Sequence, residues 1–219
     1  MCAVLIKDTC WSPDGKEVAL VSRPEGHADI YIINVEGGPP RRLTAAFNCV
    51  APSWSRDGQW IYFGSDRSGS WQVWKMPAKG GEPFQITNNG GYEAVESSDS
   101  QFLYYNKYGF NTPGLFRIPV EGGQEAMILD LPQLESFGDW AVTDEGIYFV
   151  HRYDAIHKPT LHPAIRFLSF ATNKITMVVA LEKDPGQHPG LNVSPDGQWM
   201  IYSRVDYRNH DIMLVENFH

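Results

Sequence analysis

Short apolar runs separated by polar turns recur along the whole chain, and no stretch has the spacing of an amphipathic helix. In the clearest stretch, residues 51–55 are extended in character, Arg56-Asp57-Gly58 has turn chemistry, and residues 60–63 are a β-rich apolar run. Residues 72–76 alternate as a third strand, and a fourth at residues 83–87 follows a Gly-Gly turn. Four antiparallel strands in one unit are typical of a β-propeller blade.

The same unit returns about every 43 residues. Its marker is a turn of the type Trp-Ser-Pro-Asp-Gly, which occurs in strong or weakened form at residues 11–16, 54–59, 96–101, 142–146 and 193–198. Five copies predict an all-β fold, a five-bladed propeller that occupies residues 1–219 as a single domain. The expected blades are about residues 7–47, 48–90, 91–132, 133–184 and 185–219 together with 1–6.

The two ends of the chain suggest how such a ring closes. The last copy stops after its third strand at Val215, and residues 1–6 have no place in the first blade. We expect residues 1–6 to pair beside residues 212–215, which would complete the last blade and cover an exposed sheet edge. If that register fails, the five copies belong to a larger ring.

The repeated aspartates have a structural explanation. An Asp before Gly accepts hydrogen bonds within its own turn, and the Gly takes the positive φ that the turn requires. We therefore expect a turn role, and no catalytic role, for this set of residues: Asp14, Asp57, Asp99 and Asp196.

Composition narrows the class of partner. The formal charge of −8 repels phosphate backbones, so we expect no direct contact with nucleic acid. Three cysteines without a C-x-x-C pair predict neither a disulfide framework nor a zinc site. The sequence has no long apolar stretch of the kind that inserts into a membrane, and no signal peptide is apparent. The chain as given is expected in the cytoplasm, or in the periplasm if an N-terminal signal is missing.

The repeat resembles that of TolB-type propellers. The resemblance rests on Trp-Ser-Pro-Asp-Gly, the aromatic and aliphatic strand after it, the loop Ser65-Asp66-Arg67 and the Gly-Gly turn, and it covers essentially the whole chain. Residues 194–218 resemble the end of the C-terminal propeller of bacterial sensor and regulator proteins. TolB-type repeats also occur in periplasmic translocation proteins and peptidase propellers. The resemblance therefore implies a propeller fold and leaves the function open.

Histidines gather at one end of the predicted ring. In a four-stranded blade, the loops between the second and third strands and the connections after the fourth strand lie at the same end. Six of the seven histidines fall in or beside these segments: His27, His151, His157, His162, His188 and His210. Such a face, also rich in Arg, Tyr and carboxylate, predicts a surface for a protein or small ligand. We place ligand contacts at Tyr92, Trp140, His151, Arg152, His188 and His210.

Three carboxylates are expected at the central channel. Counting back from the Ser or Thr that ends each opening strand places Asp8, Glu93 and Asp139 at equivalent heights. Five-bladed glycoside hydrolases of the arabinanase and invertase type have two Asp and one Glu around such a funnel. By that likeness of geometry, Glu93 is the general acid, Asp8 or Asp139 is the base or nucleophile, and Trp140 or Tyr92 stacks on a sugar.

Two functions therefore remain open from the sequence. The favoured hypothesis is a TolB-like binding module that engages a protein, a carbohydrate or another small molecule through the His-rich face and the channel. The alternative is a small glycosidase-type hydrolase that uses Asp8, Glu93 and Asp139. A divalent cation in the channel or on the His-rich face is compatible with either, although no motif fixes a metal site. No other cofactor is expected.

Overall fold

The computed structural model describes residues 9–107, 114–129, 139–151, 163–183, 185, 190–194, 196–206 and 209–216, with the backbone alone for 204–206 and 209–216. The chain divides into two compact units, Met1–Asp130 and Leu131–His219, which are considered separately below. All regular structure in the described residues is β-strand. These residues therefore contain no helix that could cross a membrane.

The first unit contains three four-stranded antiparallel sheets, each built from consecutive strands in chain order. Sheet 1 consists of β1 (Thr9–Trp11), β2 (Glu17–Ser22), β3 (Asp29–Asn34) and β4 (Arg41–Arg42). Sheet 2 consists of β5 (Cys49–Trp54), β6 (Trp60–Ser65), β7 (Gln72–Pro77) and β8 (Phe84–Gln85). Sheet 3 consists of β9 (Ala94–Glu96), β10 (Phe102–Asn106), β11 (Leu115–Pro119) and β12 (Ala126–Leu129).

The second unit contains one four-stranded and one three-stranded sheet. Sheet 4 consists of β13 (Trp140–Val142), β14 (Gly146–His151), β15 (Ala164–Ser169) and β16 (Ile175–Ala180). Sheet 5 consists of β17 (Asn192–Val193), β18 (Trp199–Asp206) and β19 (Asn209–Glu216). The all-β prediction is therefore confirmed, with antiparallel sheets of the kind that form propeller blades. The expected pairing of residues 1–6 falls outside the described residues and stays a prediction.

Two strand predictions differ from the structure. His210 was expected in a loop, but it lies within β19, because the β18–β19 ladder continues in register as far as Asp206 opposite Asn209. The fourth strand of sheet 2 was expected over residues 83–87, but it spans only Phe84–Gln85. Pro83 lacks the backbone N–H that a longer ladder would need.

Within the first unit, successive sheets pack face to face. Sheets 1 and 2 share a core that includes Ile30, Ile32, Ile61 and Phe63. Sheets 2 and 3 share a second core around Tyr62, Val73, Leu103 and Tyr105, which are buried together with several neighbours. Each sheet thus buries side chains against the next, as repeat architectures require for stability.

The packing between sheets is very close at Gly64. A Cβ atom added there would lie 2.4 Å from the carbonyl oxygen of Tyr92, which is shorter than any normal contact. Glycine at this position therefore lets the entry to sheet 3 lie directly against the second strand of sheet 2. Trp54 makes the corresponding link between sheets 2 and 1, since its indole Nε1 donates to the carbonyl oxygen of Cys10 at 3.1 Å.

The repeated Ser-x-Asp turns, in which Gly follows the aspartate except at Asp99, where Ser100 takes the positive φ, satisfy their own polar groups. In sheet 2 the Ser55 hydroxyl donates to Asp57 Oδ1, which also accepts from the backbone N–H of Gln59, while Ser55 Oγ accepts from Trp60 N–H. The same three bonds occur at the turns of Asp14, Asp99 and Asp196. The turn role expected for these aspartates is confirmed.

Hydrogen bonding, first from the serine hydroxyl and then from the backbone, lowers the pKa of each of these four carboxyl groups. In the unfolded chain the carboxyl groups therefore take up protons at a higher pH than in the folded protein. Their contribution to stability is present above the ordinary aspartate pKa of about 4 and is lost as the pH falls through the lowered values.

We predict that the midpoint temperature of thermal unfolding decreases as the pH is lowered from 6 to 3. We also predict that Ser55→Ala reduces the difference in the pKa of Asp57 between the folded and the unfolded chain. The Asp57 carboxyl carbon, followed by NMR over the same pH range, should titrate at a higher pH in Ser55→Ala than in the parent. Ser68→Ala, in an exposed loop, is the control. Identical titration of Asp57 in all three proteins would contradict the role given to Ser55.

Candidate functional site

One end of the first unit, called here the loop end, is formed by residues 23–28, 45–48, 66–71 and 88–92. Hydrogen bonds tie these segments together in sequence. Asn48 accepts from Ala28 N–H through its side-chain oxygen and donates twice to the Asp66 carboxylate, from its backbone N–H and from Nδ2. Further along, Gly91 N–H donates to the carbonyl oxygen of Trp71. The loop end is therefore a connected surface, held by backbone groups and by the side chains of Asn48 and Asp66.

A buried carboxylate anchors the loop end in sheet 1. Asp29, which begins β3, is fully buried and accepts from Arg42 Nη2 at 2.7 Å and from the Thr44 hydroxyl at 3.3 Å. Thr44 Oγ1 in turn accepts from Ile30 N–H, and Arg42 Nε donates to the carbonyl oxygen of Thr44. The network joins the start of the third strand to the exit of the fourth.

Sheet 2 builds the same network from neutral side chains. Thr87 donates to Gln72 Oε1 at 2.8 Å and accepts from Val73 N–H, while Gln85 Nε2 donates to the carbonyl oxygen of Thr87. Gln72 and Gln85 thus take the positions that Asp29 and Arg42 hold in sheet 1. Since the neutral version satisfies the same backbone groups, charge is not required for this local structure.

The Asp29–Arg42 network of sheet 1 has two further side chains in contact with it, Glu25 and His27. Arg42 Nη2 lies 2.9 Å from Glu25 Oε2 and 3.2 Å from His27 Nε2, and His27 Nε2 lies 3.0 Å from Asp29 Oδ2. Hydrogen bonding, first with Glu25 and then with Asp29, raises the pKa of the Arg42 guanidinium. The reciprocal bond from Arg42 lowers the pKa of Glu25, which is 59% exposed. Arg42 supplies the positive charge around which these acceptors collect.

A stack of aromatic rings around Arg67 forms the middle of the loop end. The Arg67 guanidinium carbon lies 5.0 Å from the ring centre of Trp74, 5.2 Å from that of Phe63 and 5.8 Å from that of Phe47. Its Nε donates to Ser65 Oγ and its Nη2 to Cys49 Sγ, both at 3.2 Å. Phe47 remains 45% exposed. An apolar ring is thus presented to solvent beside a fixed cation.

The third feature of the loop end is the pair Trp71 and Tyr92, both half-buried. Their ring centres are 4.8 Å apart and their planes are inclined by 58°. The next residue, Glu93, is buried, and its backbone N–H donates to the side-chain oxygen of Asn106. Tyr92, predicted as a ligand contact, therefore lies beside a second aromatic ring at the entry to sheet 3.

A buried ion pair lies between sheets 2 and 3. Lys107 Nζ is 2.7 Å from Glu125 Oε1 and 4.0 Å from the ring centre of Phe116, and the Tyr105 hydroxyl donates to Glu125. Burial, followed by this hydrogen bond, raises the pKa of Tyr105. Burial also acts to raise the pKa of Glu125, but the bonds from Lys107 and Tyr105 outweigh it and the net shift is downward. The buried lysine thus has a carboxylate counter-ion, Glu125, that is partly exposed.

The structure describes two of the three predicted channel carboxylates. Asp8 falls outside the described residues. Glu93 is buried in the first unit and Asp139 in the second, where the Asp139 carbonyl oxygen accepts from Val150 N–H at 2.7 Å. Their convergence at a channel, and the glycosidase roles that depend on it, stay predictions. Trp140, which follows Asp139, is only 1% exposed.

The other predicted ligand contacts belong to the second unit. His151 ends β14, is half-buried and lies opposite Ala164 on β15. His210 lies opposite Val205 in the β18–β19 ladder. Arg152 and His188 fall outside the described residues, as do His157 and His162. In the part of the chain that the structure describes, no three His, Cys, Asp or Glu side chains form a group suited to a metal ion.

Sequence reasoning missed Arg42 and did not single out Asp29. A signal was present, because residues 29, 42 and 44 lie one 43-residue period before Gln72, Gln85 and Thr87. Two positions that hold an acid and a base in one repeat and two amides in the next predict that their side chains are in contact. The position of Arg67 on three rings, in contrast, depends on packing between sheets and has no local signal.

Comparison with known proteins adds the following findings. A family model described as "TolB beta propeller domain" matches residues 6–130. The uncharacterized protein Atu1656 of Agrobacterium fabrum is 36% identical over 132 residues, which cover 55% of this chain and 45% of that protein. The Tol-Pal system protein TolB of Desulfosudis oleivorans is 35% identical over 141 residues, which cover 58% and 28% of the two chains.

A solved structure gives the same fold. TolB from Acinetobacter baumannii matches with a TM-score of 0.76 and 19% identity, over 95% of this chain and 51% of that chain. The chain thus spans about half the length of this TolB and a smaller part of the relatives above.

The charged and neutral networks of sheets 1 and 2 allow a matched test. We predict that Asp29→Gln or Arg42→Gln alone lowers the free energy of unfolding by about 1–3 kcal/mol, because each leaves one member of a partly buried pair uncompensated. The double substitution, which copies Gln72 and Gln85, should cost at least about 1 kcal/mol less than the sum of the two. Urea unfolding measures all three.

Arg56→Gln, an exposed cation in the turn of sheet 2, is the control for loss of charge and should change stability little. Additive losses in the double variant would show that Asp29 and Arg42 act independently, against the network described above.

Proposed function

Because the chain belongs to the TolB β-propeller family, we propose that it is a propeller module that binds a protein or small ligand through its loop end. The observation that carries this proposal is the set of partly exposed rings at the loop end: Phe47 beside the Arg67 guanidinium, and the Trp71–Tyr92 pair. Aromatic residues and arginine dominate the binding energy of protein interfaces when they are held in place before binding.

Preorganisation supports this role. Arg67 is held by Ser65 and Cys49, and the loops that carry the rings are joined through Asn48 and Asp66. Ligand binding would therefore cost little loop or side-chain ordering, which otherwise reduces affinity by about 0.5–1.5 kcal/mol for each immobilised side chain. A surface of this kind favours binding over a purely structural role.

The opposite end of the first unit also has rings beside cations, with Lys75 on Trp60 and Arg117 on Phe102, and Trp11 is 61% exposed there. This end differs from the loop end in that its buried cation, Lys75, has Glu121 as a counter-ion. Its turns consist of Ser-x-Asp motifs whose polar groups bond within the turn, and of Gly-containing turns such as Gly37-Gly38. The turn aspartates there stay ionised, since hydrogen bonding lowers the pKa of each.

We also propose that the five sheets are five blades of one propeller, as the five-copy repeat predicts. The His-rich face and the channel remain parts of the proposed binding region. Glycoside hydrolysis through Asp8, Glu93 and Asp139 is the alternative, and the experiment below separates it from binding.

We predict that binders selected against the full chain depend on the loop end. A library of displayed peptides is selected on the parent protein, and each binder is then measured by biolayer interferometry on two double variants. Phe47→Ala/Trp71→Ala should weaken binding at least about tenfold, which corresponds to about 1.4 kcal/mol. Phe84→Ala/Met127→Ala, which removes two side chains that are each 52% exposed on fourth strands, should leave affinity unchanged.

If binders keep their affinity for Phe47→Ala/Trp71→Ala and lose it for Phe84→Ala/Met127→Ala, the binding surface lies at the fourth strands and the proposal is overturned. The same preparations are tested against a panel of nitrophenyl glycosides. Hydrolysis that Glu93→Gln removes, with the thermal midpoint preserved, would favour the glycosidase alternative.

A further inference from the structure

Arg67 differs from every comparable cation in the first unit. In the described part of that unit, five lysine or arginine residues are buried or half-buried. Four have a carboxylate within 4.0 Å: Arg41 with Glu17, Arg42 with Glu25 and Asp29, Lys75 with Glu121, and Lys107 with Glu125. Arg67 has none among the described residues, and its partners are a hydroxyl, a thiol and three rings.

Sheet 3 has a carboxylate partner for the cation on its aromatic rings, and sheet 2 has none among the described residues. The Lys107 ammonium lies over Phe116, which pairs with Tyr105 across the ladder, and the Arg67 guanidinium lies over Trp74 and Phe63, which pair in the same way in sheet 2. The partner of Lys107 is Glu125, two residues before Met127, which lies opposite Phe116. In sheet 2 the residue opposite Trp74 is Gln85, so the position that corresponds to Glu125 is Pro83. In sheet 2, Ser65 stands at the position of Lys107, the cation on the ring pair is Arg67 two residues further along, and the position of Glu125 holds no carboxylate.

A second donor beside Arg67 also lacks an acceptor. The indole Nε1 of Trp74 is buried, and no acceptor for it is found among the described residues. Buried donors without partners are uncommon in native proteins, because each one costs about 1–3 kcal/mol of lost hydration. The ring that lies 5.0 Å from the Arg67 guanidinium carbon thus belongs to a side chain whose own donor has no acceptor among the described residues.

We propose that Arg67 is a binding site for a carboxylate, such as an acidic side chain of a protein partner. Guanidinium N–H groups match the two oxygens of a carboxylate, and rings on which the guanidinium lies exclude water and strengthen the bond. Phe47, the most exposed of the three rings, would cover the carbon atoms next to the bound carboxylate. This deepens the loop-end function proposed above and rests on it only for the nature of the partner.

The overall charge sets how this site should respond to salt. The net charge of −8 repels an anion as it approaches, and this repulsion is screened at physiological ionic strength over about 8 Å. The short contact with a half-buried guanidinium is screened much less. A carboxylate is therefore excluded from most of the surface and retained at Arg67.

The test is an NMR titration of the full chain with sodium acetate, with ionic strength held constant by sodium chloride. The Arg67 Nε–H and Phe47 backbone signals should shift in a saturable manner. Arg67→Gln should weaken the response at least about tenfold. Arg23→Gln, an exposed arginine at the same end, removes the same charge and should leave it unchanged. Thermal midpoints confirm that each variant is folded.

Pro83→Glu provides an independent variant that keeps Arg67. It restores the carboxylate of sheet 3 and should block the acetate response while raising the thermal midpoint. Phosphate, titrated in parallel, should bind no more tightly than acetate.

The proposal is overturned if acetate causes no saturable shift at Arg67, if Arg67→Gln responds like the parent, or if phosphate binds at least tenfold more tightly. In each case the aromatic loop end could still bind peptides in the display experiment, so the two proposals fail separately.

Discussion

Close packing of one sheet against the next is the constraint on which the rest of this structure depends. Gly64 allows the backbone at Tyr92 to lie against sheet 2. Trp54 of sheet 2 donates a hydrogen bond to the carbonyl oxygen of Cys10 in sheet 1. Because sheet 2 packs against sheet 1 on one face and against sheet 3 on the other, the loops at its ends are positioned by the cores beneath them. The aromatic rings of the loop end are fixed for that reason, although they lie outside the strands.

The polar groups between the sheets follow the same constraint. A lysine or arginine that enters the space between two sheets loses water, and that loss is offset only by hydrogen bonds, a carboxylate or a ring face. Lys107 has all three through Glu125 and Phe116, whereas Arg67 has rings, a hydroxyl and a thiol. Arg42 has two carboxylates and a histidine, although Gln85 fulfils the same backbone role in sheet 2. Arg42 therefore has more charged partners than its backbone role requires, and Arg67 has fewer than Lys107. In both cases the local structure alone does not explain why the residue is charged.

Much of the fold could be predicted from the sequence because its determinants are local. The Ser-x-Asp-Gly turns bond within themselves, and apolar runs between such turns leave few alternatives to short antiparallel strands. The site was harder to predict. Asp29 and Arg42 meet across a sheet, and Arg67 lies on rings from three separate segments, so their partners depend on packing. His210 was predicted in a loop because it is polar. It lies in a strand instead, because the partner strand continues and the hairpin extends with it.

Repetition within one chain offers a control that a single domain lacks. Successive sheets share a backbone plan, so a difference at equivalent positions isolates what a side chain adds beyond folding. Gln72 and Gln85 show that the Asp29–Arg42 pair is not needed to close the sheet, and Glu125 shows that a cation on this ring pair can be neutralised from within. Sheet 2 has Pro83 at that position, so its arginine is held in place without a counter-ion among the described residues. A cation retained in this state loses hydration without compensation from a carboxylate, and an external carboxylate is the group that would supply it.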